Sequence, residues 1–177
     1  KTLLFFGSVD IHEERKGYKY LRDALQLLLI RRPELLNEII LVVAGVKSEL
    51  LGLSDYEVHY TGHLSFEDLS LYYSMSDVFL SPTIQDAGPM MLNQALMCGT
   101  PAVAFEIGVA IDIINSGTGY LAKYRDSGDF CNGILYLIDK TKNESDLISQ
   151  ECRLQSLERS SYDGFRRQII NVYDKVK

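Results

Sequence analysis

The chain has 177 residues, 46% hydrophobic and 24% charged, with 4 Pro and 13 Gly; this supports one full hydrophobic core and excludes disordered and fibrous classes. A formal net charge of −6 and a pI near 5.1 oppose a polyanion over most of the surface, which disfavours nucleic acid as a ligand, so any phosphate must be held locally. The longest apolar stretches, such as Leu27 to Ile30 and Ile39 to Val46, fall well short of the ~20 residues that span a bilayer.

Short β-branched and aromatic runs alternate with helical patterns, the signature of βαβ units around a parallel sheet. The expected class is therefore α/β, a doubly wound Rossmann-like sheet flanked by helices. Thr2 to Phe6 opens as a strand, and Tyr18 to Ile30 follows as a crossover helix. That helix carries Tyr20, Leu21, Ala24, Leu25, Leu27 and Leu28 at helical spacing, and Pro33 closes the segment. Strands are expected at Ile39 to Ala44 and Val58 to Thr61. Ser65 with Asp68 three residues on then forms an acidic capping box for a helix whose apolar side is Leu69, Tyr72 and Tyr73. Val78 to Leu80 is the next strand, followed by a helix from about Pro89 to Cys98 that stops at Gly99. Ala102 to Phe105 and Tyr120 to Leu121 complete the strands. Several of these runs are apolar throughout, as strands covered on both faces are. Asp129 to Leu137 reads as the last crossover helix, Lys140 to Ser145 as a polar break, and Asp146 to Arg159 and Gly164 to Val176 as charged helices. The expected division is a Rossmann-like domain over residues 1–155 and a C-terminal helical segment over 156–177. The opening at Lys1, with no initiator Met, suggests a piece of something longer.

The three cysteines, Cys98, Cys131 and Cys152, show neither CxxC nor Cys/His ligand spacing. An odd count and the absence of a signal peptide favour free structural thiols in a reducing compartment. In a doubly wound sheet, ligands gather where the strand order reverses, outside the C-terminal strand ends. Three loops that follow strands are chemically suggestive: Gly7 to Gly17, Gly62 to Leu64, and Ser81 to Pro89. The last has the make-up of an anion site, because a helix start offers unpaired N–H groups and Gly88 lets a phosphate approach the backbone. Pro89 has no N–H to give, so the donors expected are the amides of Met90 and Met91. The same stretch also fits an ordinary loop in which Asp86 caps the helix.

Asp86, seven residues, Gln94, then Ala95, Gly99 and Pro101 resembles the family 4 retaining glycosyltransferases (glycosyl transferases group 1). In their donor domain an acidic residue, seven residues and Glu precede Ala-x-x-x-Gly-x-Pro. The resemblance implies that Asp86 faces hydroxyls of a donor sugar, that Gln94 meets the ribose, and that the backbone from Gly88 to Met91 holds the diphosphate. Gln94 departs from the usual Glu, and an amide offers a single acceptor oxygen where a carboxylate has two. Gly7 to Gly17 resembles the family's strand-end Gly-Arg followed by Lys-Gly. Lys16 matches the lysine that neutralises the diphosphate, Ser8 stands at the arginine position, and Arg15 is the nearby guanidinium able to substitute. Gly62, His63 and Leu64 fall on the loop that reads the base in such proteins, mostly through backbone groups. Neither His59 nor His63 has a partner at catalytic or metal spacing, so both read as structural or surface histidines. Ala104 to Ile114 is similar to the family's Gly-Gly-x-x-Glu segment, with Val109 where the second Gly is usual, and Gly117 to Ala122 to its Asn-Gly-Tyr-Leu-Ala.

The resemblance covers about residues 2–140 and implies one half of a two-domain GT-B enzyme, the donor-binding half. The donor would be a UDP- or GDP-sugar, and an N-terminal domain of the same protein would hold the acceptor. The absence of an Asp-x-Asp motif fits a reaction that needs no cofactor and no metal. The expected location is cytoplasmic, any membrane association being peripheral, at the inner face, and carried by the absent domain. Phe165, Ile169, Val172 and Tyr173 make the last helix a candidate to pack on that domain, or equally on its own. Two rival classes stay open: a non-catalytic sugar-nucleotide-binding module and a GT-B sugar-nucleotide epimerase. A nicotinamide-dependent oxidoreductase would need a Gly-x-Gly-x-x-Gly turn that Gly7 to Gly17 does not supply.

Overall fold

The computed structural model describes residues 1–8, 10, 12–45, 52–86, 88 and 90–176. Its strands are β1 (Thr2–Ser8), β2 (Ile39–Gly45), β3 (Glu57–Gly62), β4 (Val78–Ser81), β5 (Ala102–Phe105) and β6 (Gly119–Ala122). They form one sheet in the order β3-β2-β1-β4-β5-β6, and every pairing is parallel. All the expected strands are present, β5 with the expected bounds and the others one or two residues longer. Leu4, Phe5, Leu41, Val43, Val78, Leu80 and Val103 are fully buried, as both faces of a parallel sheet must be covered.

Helix α1 (Tyr18–Arg31) turns Leu21, Ala24, Leu25 and Leu28 to the core, the i, i+3, i+4, i+7 stripe that an amphipathic helix buries. Helix α2 (Phe66–Met75) starts on Ser65, whose Oγ accepts from the Asp68 N–H at 3.0 Å. The Asp68 carboxylate accepts from the Ser65 hydroxyl at 2.8 Å. Helix α3 (Met90–Met97) buries Leu92, Ala95 and Leu96 and ends as the Gly99 N–H reaches Leu96 O at 3.0 Å. Pro89, the expected first residue of α3, and Val46, the end of one apolar stretch, lie outside the described residues. A short helix, α4 (Ala110–Ile113), joins β5 to β6; its four residues are too few to leave a periodic pattern in the sequence.

The last expected crossover helix is corrected. No strand follows β6 among the described residues; the chain instead forms α5 (Ser127–Ser160), two helical segments that meet at a kink, then α6 (Tyr162–Val176). The expected polar break narrows to one residue, Glu144, at φ −136° and ψ 32°. Lys140 to Ser145 contains neither Gly nor Pro, and Thr141 within it is buried, its Oγ1 donating to Leu137 O at 2.8 Å. The kink at Glu144 divides two packing partners. Before it, Phe130 packs on Phe105 of β5, ring centroids 5.0 Å apart. After it, the Arg153 Nη1 donates to Met97 O at 3.3 Å, and the Cys152 Sγ sits 3.7 Å from Thr118 O. The other face of the sheet is covered by α2, with Tyr73 edge-on to Phe5 at 5.2 Å. The three cysteines are free, Cys131 and Cys152 buried and Cys98 partly so, and burial pushes the Cys152 thiol up to about 12. No helix among the described residues is long and apolar enough to cross a membrane.

Candidate functional site

The strand order reverses between β1 and β4, the place where a doubly wound sheet leaves a crevice for ligands. The loop after β1 contracts into one 3-10 turn, Glu14–Lys16, which Gly17 ends in the left-handed region at φ 68° before α1 begins. Glycine is required at this position twice over. The left-handed conformation disfavours a side chain, and a Cβ here would lie 1.8 Å from Pro82 O in the loop after β4. The two loops are further joined by the Ile84 N–H, which donates to Arg15 O at 2.9 Å.

This contact brings together the two residues expected to do the chemistry. The Lys16 Nζ stands 4.0 Å from the Asp86 Oδ2, each side chain about a quarter exposed (25% and 23%). The other carboxylate oxygen of Asp86 accepts from the Gly88 N–H at 3.0 Å. Asp86 therefore closes a turn within its own loop, accepting from Gly88 and from no amide of α3 among the described residues, and at the same time faces the cation. A cleft of about 230 Å³ opens here, lined by Gly7, Lys16, Ser81, Thr83, Asp86, Gly88, Met90 and Met91 among others. Gly7 forms its floor; a Cβ there would meet the Met91 Cε at 2.2 Å. The cleft thus combines one ammonium and one carboxylate with the N-terminal end of α3. The helix dipole adds positive potential at its N-terminal end.

The other expected site residues lie around this cleft rather than in it. Ser8 is buried and donates its hydroxyl to Asp10 O at 2.8 Å. Arg15 points to Glu13, with which its guanidinium pairs, and it does not line the cleft. Gly62 ends β3, His63 is exposed, and Leu64 packs partly buried against the core. β3 lies two strands out from β1, about 10 Å in the hydrogen-bonding direction. Gln94 sits one turn into α3 and faces a groove shared with Phe66, Leu69 and Tyr73 of α2. Its Oε1 accepts a long bond, 3.4 Å, from the Tyr73 hydroxyl, and burial raises the pKa of that phenol well above its ordinary value. No group of three or more His, Cys, Asp or Glu side chains among the described residues is placed to hold a metal ion.

Sequence reasoning missed Ser81 and Thr83, which line the cleft, and Tyr124, whose hydroxyl donates to Ile84 O at 3.2 Å across 40 residues of chain. Ser81 and Thr83 are small residues at a strand end with no pattern of their own. Tyr124 reaches the loop only through the pairing of β4, β5 and β6.

Comparison with known proteins identifies the family and the fold. The family described as Glycosyl transferases group 1 matches residues 1–140. A phosphatidyl-myo-inositol mannosyltransferase of Propionibacterium freudenreichii subsp. shermanii is 28% identical over 118 residues, 66% of this chain and 29% of that protein. A D-inositol 3-phosphate glycosyltransferase of Catenulispora acidiphila is 25% identical over 153 residues, 78% of this chain and 35% of that one. The chain thus spans about a third of the length of these curated relatives. Among solved structures, Anabaena HepE in complex with UDP and glucose superposes with a TM-score of 0.73 at 18% identity, covering 99% of this chain and 48% of that one. That likeness establishes the shared fold.

Proposed function

This chain belongs to the glycosyl transferases group 1 family, and on that premise we propose that it is the donor-binding half of a retaining glycosyltransferase that needs no metal. The observation that carries the reading is the pairing of Lys16 with Asp86 at the start of α3, inside the cleft between β1 and β4. The donor is a UDP- or GDP-sugar. Its diphosphate lies against the Lys16 ammonium and the amides of Met90 and Met91, its sugar faces Asp86, and its nucleoside extends past Gln94 toward Gly62, His63 and Leu64. Charge that develops on the departing nucleoside diphosphate meets a fixed ammonium and fixed N–H groups, so the rate gain comes from electrostatic preorganisation and positioning. The acceptor hydroxyl attacks the anomeric carbon from the face the leaving group vacates, and configuration is retained.

The acceptor is a glycan or lipid-linked sugar of polysaccharide or cell-surface glycan synthesis, held by an N-terminal domain on the cytoplasmic side. Helix α6 is the surface for that domain: Phe165, Val172 and Tyr173 are 60%, 60% and 69% exposed, so its apolar stripe is not spent on this domain. The 177-residue chain alone therefore binds donor and transfers no sugar. Calorimetry with UDP and GDP in the presence of a chelator tests the reading. Heat of binding without divalent metal is expected, and binding that appears only with magnesium or manganese, or not at all at millimolar ligand, refutes it.

A further inference from the structure

We propose that Tyr124 is a positioning residue that fixes the sugar end of the donor cleft through the backbone of Ile84, an inference that rests on the glycosyltransferase reading above. Ile84 is held on both of its main-chain groups. Its N–H donates to Arg15 O in the loop after β1 at 2.9 Å, and its carbonyl accepts from the Tyr124 hydroxyl, beyond the end of β6, at 3.2 Å. Its side chain is buried, so the residue is pinned between two loops that belong to opposite halves of the sheet. Asp86, the side chain that would meet the donor sugar, follows two residues later with no regular structure between them.

The way Tyr124 itself is held favours this role. Its N–H donates to the Glu106 Oε1 at 3.3 Å, and the Arg125 guanidinium carbon lies 5.0 Å from the ring centroid. Arg125 takes φ 59°, a left-handed conformation that residues other than glycine rarely adopt. The tight turn at this point, closed by the Asp126 N–H donating to Lys123 O at 3.1 Å, directs the phenol toward Ile84. Tyr124 is 44% exposed as a residue, yet its hydroxyl makes a part-buried bond to a main-chain carbonyl 40 residues away. On the other side Gly108, after β5, packs so closely on Asp86 O that a Cβ would come within 2.9 Å of it. The loop that carries Asp86 is thus set from β1, β5 and β6 together, and Tyr124 supplies the contact from β6.

The test compares UDP with UDP-glucose, and GDP with GDP-mannose, on the wild-type chain and on Tyr124→Phe, by calorimetry alongside a thermal melt. The expected result has three parts: a melting midpoint lowered by no more than about 5 °C, the effect of one hydrogen bond in a chain of this size, UDP and GDP affinities within about twofold of wild type, and sugar-nucleotide affinity weaker by about three- to tenfold, the upper bound being the range for one neutral hydrogen bond. Equal weakening of nucleoside diphosphate and sugar nucleotide, or no change in either, overturns the positioning role while leaving the phosphate site in place. Failure of the wild-type chain to bind UDP or GDP overturns the donor-site reading and this inference with it.

Discussion

Replacing Lys16 by Ala is the most direct perturbation of the cleft. A bound diphosphate gains a charge-assisted hydrogen bond from this ammonium, worth about 1.5 to 3 kcal/mol. Against that stands the Lys16 pair with Asp86, which at 4.0 Å and with both side chains about a quarter exposed is worth about 0.2 to 1 kcal/mol and is given up when phosphate binds. The net cost of Lys16→Ala is therefore about 0.5 to 2.8 kcal/mol, or roughly a 2- to 100-fold weaker dissociation constant for UDP or GDP. The variant also leaves the Asp86 carboxylate unneutralised beside the phosphates, so adding Asp86→Asn to it recovers part of the loss. Titration of uridine, UDP, guanosine and GDP into each variant at low and high salt is the assay. The loss for diphosphate shrinks as salt rises, because the site is partly open to solvent, while the free nucleosides are unaffected. A loss of the same size for nucleoside and diphosphate would show that Lys16 acts through the fold, and the phosphate assignment would fail.

Three further outcomes follow from single contacts. Gly17→Ala combines a left-handed φ with a Cβ 1.8 Å from Pro82 O. It costs about 2 to 5 kcal/mol of stability, lowering the melting midpoint by roughly 5 to 15 °C; an unshifted melt would mean that the two loops separate freely. Gln94→Glu changes nucleoside and nucleoside diphosphate affinity by the same factor, since Gln94 lies away from the phosphate cleft beside Tyr73; a change for the diphosphate alone would contradict this placement. Burial raises the Asp129 carboxyl, but the Lys123 N–H, the Tyr120 hydroxyl and Asn132 outweigh it and hold the pKa below the usual carboxylate value. A depressed folded-state pKa gives stability that is present above the unfolded value and is lost as pH falls through the folded one. Asp129→Asn therefore lowers the midpoint at neutral pH and narrows its gap from wild type in melts taken below about pH 4, and a constant gap would count against the argument.

Some of this architecture is local and is legible in the residues themselves. The apolar runs that become β1, β2, β4 and β5 need only their own composition to announce a strand buried on both faces. The Ser65 cap, the stripe of Leu21, Ala24, Leu25 and Leu28, and the stop at Gly99 are each settled by residues close together in the chain. The Asp86 and Gln94 spacing, with Lys16 after the first strand, marks the same family that matches residues 1–140. Other features depend on groups far apart in the chain. Tertiary packing decides that Gln94 faces Tyr73 and that α5 bends at Glu144 to reach α3. It also decides that Tyr124 meets Ile84. Periodicity and capping are properties of neighbouring residues, whereas a contact across 40 or more positions exists only after parallel strands have paired in register, and no local pattern encodes which loops that register will bring together.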